Sequence, residues 1–212
     1  MLYVQSFTFN PLQENTYLLI NDKKQCWIVD PGMYDNSETN LLNDYITANA
    51  LQPQSIINTH THLDHVFGVQ AVKDTYNIPF GIHELEIPIL KNAAASAMMF
   101  GMHMPVVPTP DFFIKEGANI MLGDDAVEVR FTPGHSPGSI SFYYAPGQWL
   151  VSGDALFAGS IGRTDLPGGS YNTLIAAIKA QLLTLPQETK VYSGHGPATT
   201  IGNEQKYNPF LR

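Results

Sequence analysis

The chain has 212 residues, 44% hydrophobic and 11% aromatic, with a formal charge of −8, which is enough to bury a sizeable core as one large unit or two packed halves. Eight lysines and three arginines (Arg130, Arg163, Arg212) give no basic stripe for a phosphate backbone to follow, so nucleic acid is excluded as the expected partner. No apolar run reaches the ~20 residues of a membrane span, the opening MLYVQSFTFN lacks a basic-then-apolar leader, and the lone Cys26 has no disulfide partner; a cytoplasmic, reducing setting is expected.

Strand-like runs open the chain at Leu2–Phe9, Thr16–Asn21 and Cys26–Val29, the last ending in the turn Asp30-Pro31-Gly32. Ser37 is placed to cap a helix with Leu41, Leu42, Tyr45 and Ile46 on its apolar face. A short strand, Ser55–Asn58, runs into Thr59-His60-Thr61-His62-Leu63-Asp64-His65, and an amphipathic helix is expected from about Asp64 through Val66, Val69, Val72 and Tyr76. Strand Pro79–Ile82 and a Met- and Ala-rich segment to His103 follow. Pro105, Pro108 and Pro110 then mark a mid-chain connection. In the second half, strands are expected at Asn119–Leu122, Ala126–Phe131, Ser139–Tyr144 and Gln148–Val151. After them come a helix capped at Ser170, with Leu174, Ile178, Leu182 and Leu185 on one face, and a last strand at Lys190–Tyr192. Strands followed by helices, twice over, predict an α/β sandwich: two sheets face to face with helices outside.

Five of the seven histidines fall in three loops that each follow a strand, and three of them lie within six residues, His60 to His65. Metal binding needs neutral imidazoles and carboxylates converging from separate segments, and loops at strand ends hold them rigidly. In a strand-to-helix turn His60 and His62 can face one way and Asp64 and His65 another, so one motif can serve two metals. The remaining candidates lie in glycine-rich loops: His135 in Pro133-Gly134-His135, Asp154 in Ser152-Gly153-Asp154, and His195 in Ser193-Gly194-His195-Gly196. His83 and His103 stand outside the pattern and are read as ordinary histidines.

The motif His60-x-His62-x-Asp64-His65, followed by His135, Asp154 and His195, resembles the metallo-β-lactamase superfamily along nearly the whole chain. The resemblance implies its αββα sandwich over residues 1–212 as a single domain. It places His60, His62 and His135 on one divalent metal and Asp64, His65 and His195 on another, with Asp154 bridging. Zinc is the expected metal, with iron or manganese as alternatives. Asp30, in Val29-Asp30-Pro31-Gly32, matches an early aspartate that supports the metal loop from behind.

Within the superfamily the likeness is greatest to glyoxalase II, the hydroxyacylglutathione hydrolase, through Gly153-Asp154-Ala155-Leu156-Phe157, Gly159–Asp165, Gly194–Pro197 and Asn208–Leu211. It implies hydrolysis of small acyl thioesters, with Asp64 orienting the water and Arg163 replacing a glutathione-contacting lysine. Two departures concern the thiol. No C-terminal helical glutathione-binding domain is expected, and His195-Gly196-Pro197 lacks the family's tyrosine. The alternatives are a mononuclear iron persulfide dioxygenase, whose relatives share a Gly-Arg-Thr-Asp segment, a lactonase or other hydrolase of the superfamily, or a metal-stapled module without activity. The segment 93–104, with Met98, Met99, Phe100, Met102 and Met104, reads as core or as an adaptable wall beside the metals.

Overall fold

Side-chain alternation along one strand decides the architecture. In β2 (Glu14–Ile20) all seven residues are buried; Leu18 and Ile20 pack in one apolar cluster while Tyr17 and Leu19 pack in another. Successive residues point to opposite faces of a sheet, so this sheet is covered on both sides. The computed structural model, which describes residues 1–212, shows by what.

The first half supplies β1 (Tyr3–Phe9), β2, β3 (Gln25–Val29), α1 (Asn36–Ala48), β4 (Gln52–Ile57), α2 (Val69–Tyr76), β5 (Phe80–Ile82), α3 (Ile87–Lys91), α4 (Ala93–Met99) and β6 (Phe112–Phe113). Its six strands form one mixed sheet in sequential order, antiparallel from β1 to β3 and parallel from β3 to β6. The second half supplies β7 (Asn119–Leu122), β8 (Asp125–Phe131), β9 (Ile140–Tyr144), β10 (Trp149–Gly153), the short pair β11 (Leu156–Phe157) and β12 (Ser160–Ile161), α5 (Tyr171–Ala177), β13 (Lys190–Ser193), β14 (Thr199–Thr200) and α6 (Ile201–Tyr207). Its main sheet runs β14-β13-β10-β9-β8-β7.

Three apolar layers hold these sheets. Leu19, Trp27, Val29 and Ile57 of the first sheet meet Val127, Val129, Phe142 and Val151 of the second in the central layer. Leu42, Ile46, Val69, Val72, Leu90 and Ala97 bring the first-half helices onto the outer face of the first sheet. Leu174, Ile178, Leu182 and Ile201 do the same on the second. Each such Leu, Ile or Val contributes on the order of 1.5–3 kcal/mol. This is the αββα sandwich expected from the sequence.

Three local expectations are corrected. The cap of α1 is Asp35, whose carboxylate accepts from the Ser37 and Glu38 N–H groups, while Ser37 lies inside the helix and donates its hydroxyl to the same oxygen. No helix starts at Asp64: Leu63–His65 forms a single 3₁₀ turn, and α2 begins only at Val69. The Asn58 amide fixes that turn by donating to the carbonyls of His65 and His60. The Ser170-capped helix passes into a π-helical stretch at Ile178–Leu182, where the Leu183 N–H bonds the Ile178 carbonyl and Arg130 Nη1 takes the Gln181 carbonyl. The expected apolar face survives, with Leu174, Ile178, Leu182 and Leu185 all buried.

The fold gathers the loops of interest at one edge. β3 and β4 run parallel, as do β10 and β13, so the C-terminal ends of each pair lie together. A bridge between Glu14, at the start of β2, and His195, just past β13, joins the two edges into one rim.

Candidate active site

Donor atoms of His60, His62 and His135 lie within 4.8 Å of one another, and so do those of Asp64, His65 and His195. Asp154 stands between the groups. Its Oδ2 is 3.5 Å from both His135 Nε2 and His195 Nε2, and its Oδ1 is 3.5 Å from His65 Nε2. All seven residues singled out in the sequence therefore meet, five of them buried and His62 and His195 partly so. Asp30, His60 and His65 also lie within this spacing, but both Asp30 oxygens are committed to the backbone and hydroxyl of Thr59, at 2.7 and 2.6 Å. Asp30 holds side chains from behind.

The outer nitrogens fix which atoms face inward. The Arg163 carbonyl accepts from His135 Nδ1 (2.8 Å), the Leu12 carbonyl from His195 Nδ1 (3.1 Å) and the Asp30 carboxylate from His65 Nδ1 (3.1 Å). His60 Nδ1 lies 3.0 Å from Thr59 Oγ1, whose own proton goes to Asp30. The Nε2 lone pairs of neutral His60 and His135 consequently face each other at 3.2 Å. Two lone pairs so placed repel, and a cation between them reverses the sign. His65 Nε2 and Asp154 Oδ1 are buried without a hydrogen-bond partner, a costly condition that a bound ion relieves. The donor set thus fits divalent metal, with imidazoles oriented through their second nitrogen.

Charge follows the same logic. Burial holds His60 well below the ordinary histidine range and pushes His62 down to about 3 and His135 to about 4, so all three rings are neutral donors near pH 7. Burial raises Asp154. Burial would also raise Asp64, but the neighbouring His65 charge and a 3.1 Å contact with His195 Nε2 outweigh it and keep the carboxyl below its usual range. His65 and His195 are raised despite burial, the first by Asp64 and Asp154, the second by its hydrogen bond to Asp64. Cys26 is buried away from the site, with its thiol pushed up to about 12 by burial, and no nucleophile is drawn from it.

Four residues that sequence reasoning missed build the rim. Buried Glu86 accepts from Thr61 N and Oγ1 with one oxygen and from Ser136 Oγ and Gly138 N with the other, at 2.6–3.0 Å. It ties the loop of His60 and His62 to that of His135. Asn15 donates to the carbonyls of Ser193 and Gly196 on either side of His195, and Tyr17 Oη donates to Ser193 as well. Buried Glu14 has Oε1 3.7 Å from His65 Nδ1. Close approach also dictates Gly194, where a Cβ would overlap Asp154 Oδ1 and lie 2.8 Å from His65 Cε1.

The centre opens into a recess of about 580 Å³. Arg163 lines it, but its guanidinium is held by Asp165 through two hydrogen bonds of 2.8 and 2.7 Å. The Met-rich segment divides: Met102 and Met104 are core, whereas Met99 and Phe100 line the recess. His83 is buried against Phe131 and pairs with Glu116, and His103 is exposed; neither joins the cluster.

The family model described as the metallo-beta-lactamase superfamily matches residues 9–195. The chain belongs to the metallo-beta-lactamase superfamily. Among relatives in the superfamily, it is 43% identical over 203 residues to a Bacillus subtilis protein described as the probable metallo-hydrolase YqgX, covering 95% of this chain and 93% of that one. It is 36% identical over 201 residues to the Haemophilus influenzae hydroxyacylglutathione hydrolase GloC, covering 94% and 93%. Two solved structures are each 40% identical: the BLEG-1 B3 metallo-beta-lactamase, with a TM-score of 0.91 over 99% of both chains, and TTHA1623 in a di-iron-bound form, with a TM-score of 0.87 over 98% of this chain and 100% of that one. No helix of the chain is long and apolar enough to cross a membrane.

Proposed function

We propose that this protein is a binuclear metal-dependent hydrolase of small acyl thioesters, related in activity to glyoxalase II. The reading rests on one observation: two complete donor groups, His60/His62/His135 and Asp64/His65/His195, meet at Asp154. Two divalent cations held there supply a Lewis acid for the carbonyl and ionise a water near neutral pH. Zinc fits the nitrogen-rich donor set, and the di-iron form of TTHA1623 supports iron as the alternative.

The chain's own groups do the rest. Asp64, ionised and open to the recess, orients the attacking water and accepts its proton. The water oxygen bonds the carbonyl carbon, the carbon–sulfur bond breaks, and the sulfur leaves as thiolate, so no side-chain acid is required. Asp30 keeps His65 and the Thr59–His60 turn aimed inward. Arg163 lines the rim with its guanidinium paired to Asp165. GloC is a relative whose described activity matches this reading.

The test is metal-reconstituted protein assayed against a panel of thioesters, esters, lactones and a β-lactam, with oxygen uptake followed in parallel. Thiol release from thioesters at two metals per chain is expected. Oxygen consumption at one iron per chain, or turnover confined to lactones or β-lactams, would replace this reading.

A further inference from the structure

Away from the histidine cluster the recess is mostly apolar, and its charges do not suit a peptide-like thiol. We propose that it seats an apolar arm of the substrate, so that the preferred thioesters carry an alkyl or aryl group rather than glutathione; this rests on the thioesterase reading above.

The wall is formed by Ile89, Met99, Phe100, Phe157 and Leu166. Met99 is 86% and Phe100 50% exposed. They are presented there because α4 ends at Met99, and Gly101, with a left-handed φ of 70°, turns the chain so that Met102 and Met104 enter the core. Apolar side chains gathered at the mouth of a catalytic recess mark a binding surface, since covering them is worth on the order of 1.5–3 kcal/mol per side chain. Methionine adapts to differently shaped partners, which favours a permissive wall.

Charge argues the same way. Glutathione carries two carboxylates and an ammonium group. Among the residues lining the recess the only Lys or Arg is Arg163, already paired with Asp165, and the only acids are Asp64 and Asp154, both turned to the histidines. The tripeptide's carboxylates would find one occupied cation, its ammonium group no free acid. The overall charge of −8 adds a field that disfavours anionic arms away from the metals. An apolar arm meets none of these costs.

The test uses the full chain, metal-reconstituted, with N-acetylcysteamine thioesters of acetate, butanoate, hexanoate and octanoate, and with lactoyl thioesters of glutathione and benzyl mercaptan. At ~0.8 kcal/mol per buried methylene, kcat/KM should rise by up to about fourfold per CH₂ until the wall is covered. Met99→Ser and Phe100→Ser, changes at exposed positions, should each cut the octanoyl-to-acetyl ratio about fivefold. Calorimetry on the metal-free protein should show the S-octyl thioether of N-acetylcysteamine binding about tenfold more tightly than the S-ethyl thioether. A flat acyl series together with preference for lactoylglutathione over the benzyl thioester overturns the proposal. Tight octyl binding without turnover of any thioester supports the apolar wall and removes the thioesterase reading instead.

Discussion

Glu86 and Ser136 are joined by a 2.6 Å hydrogen bond across the gap between the two halves of the sandwich. The same carboxylate takes the Thr61 and Gly138 N–H groups, so one buried acid sets the spacing of the loops that carry His60, His62 and His135. Its own pKa is raised, with burial the largest cause, a cost that only these donors offset.

Glu86→Ala should strand two buried N–H groups and lower stability by about 3 kcal/mol, or roughly 6–12 °C in Tm for a chain of this size. Metal affinity should fall further than stability explains, and in one of the two equivalents only, as read by chelator competition. Glu86→Gln, which keeps one acceptor, should fall between. An unchanged Tm in both variants would show that the strut does not act as described.

Asp154→Ala should reduce thioester hydrolysis by more than about 100-fold, a loss beyond that typical of residues that only support metal ligands. Metal content should drop from two equivalents to one or none. His103 is exposed and outside the cluster, so His103→Ala should leave both measurements at the parent value. Elemental analysis of the two variants side by side is the check, and metal loss in His103→Ala would mean that the constellation has been misassigned.

The residues of this centre differ in how far the sequence reveals them. His60 to His65 stand out because so many donors in six residues have no use in a core, and Asp154 because an acid ending a buried strand needs a partner charge. Glu86 does not: in His83-Glu84-Leu85-Glu86 it looks like a solvated acid, and only the packing of a distant loop buries it. Asn15 is hidden for the same reason, since its targets, Ser193 and Gly196, lie 178 and 181 residues away. The turn at Leu63–His65 shows the opposite failure. Helical spacing through Val66, Val69 and Val72 suggests one continuous helix, but aiming Asp64 and His65 inward needs a separate turn, pinned by Asn58.

Stability of the metal-free protein should depend on pH in a direction set by these histidines. His60, His62 and His135 have folded-state pKa values depressed below 6.5 by burial, with His62 at about 3 and His135 at about 4. The unfolded chain therefore binds more protons, and stability is lost as pH falls from about 6.5 toward 4. His65 and His195 are raised, so they are protonated in both states across that range and give stability that is lost only as pH rises through their folded values. The Tm of metal-free protein should peak near neutrality and fall on acidification, each depressed histidine contributing up to about 1.4 kcal/mol per pH unit. Differential scanning fluorimetry between pH 4 and 9 measures this directly. A Tm that climbs steadily toward pH 4.5 would contradict it.

Arg163 and Asp165 give the last prediction. The guanidinium is bound through Nε and Nη2 to both Asp165 oxygens, with Arg163 and Asp165 both exposed, while the Arg163 main-chain carbonyl holds His135. Side-chain changes at this position thus leave the His135 anchor in place, and activity changes report on the rim alone. In the wild type a substrate carboxylate must compete with Asp165 for the same two donors, so Arg163→Ala should alter kcat/KM for an anionic thioester by about threefold or less, the scale of an exposed ion pair. Asp165→Asn removes the competitor and frees the fork for bidentate contact. It should raise kcat/KM for a carboxylate-bearing thioester about fivefold, through KM, and leave a neutral thioester unchanged, because uniform binding of a remote group does not touch the chemical step. Adding Arg163→Ala to Asp165→Asn should erase that gain. If Asp165→Asn instead slows both substrates equally through kcat, the pair is shaping the His135 loop and takes no part in selecting the substrate.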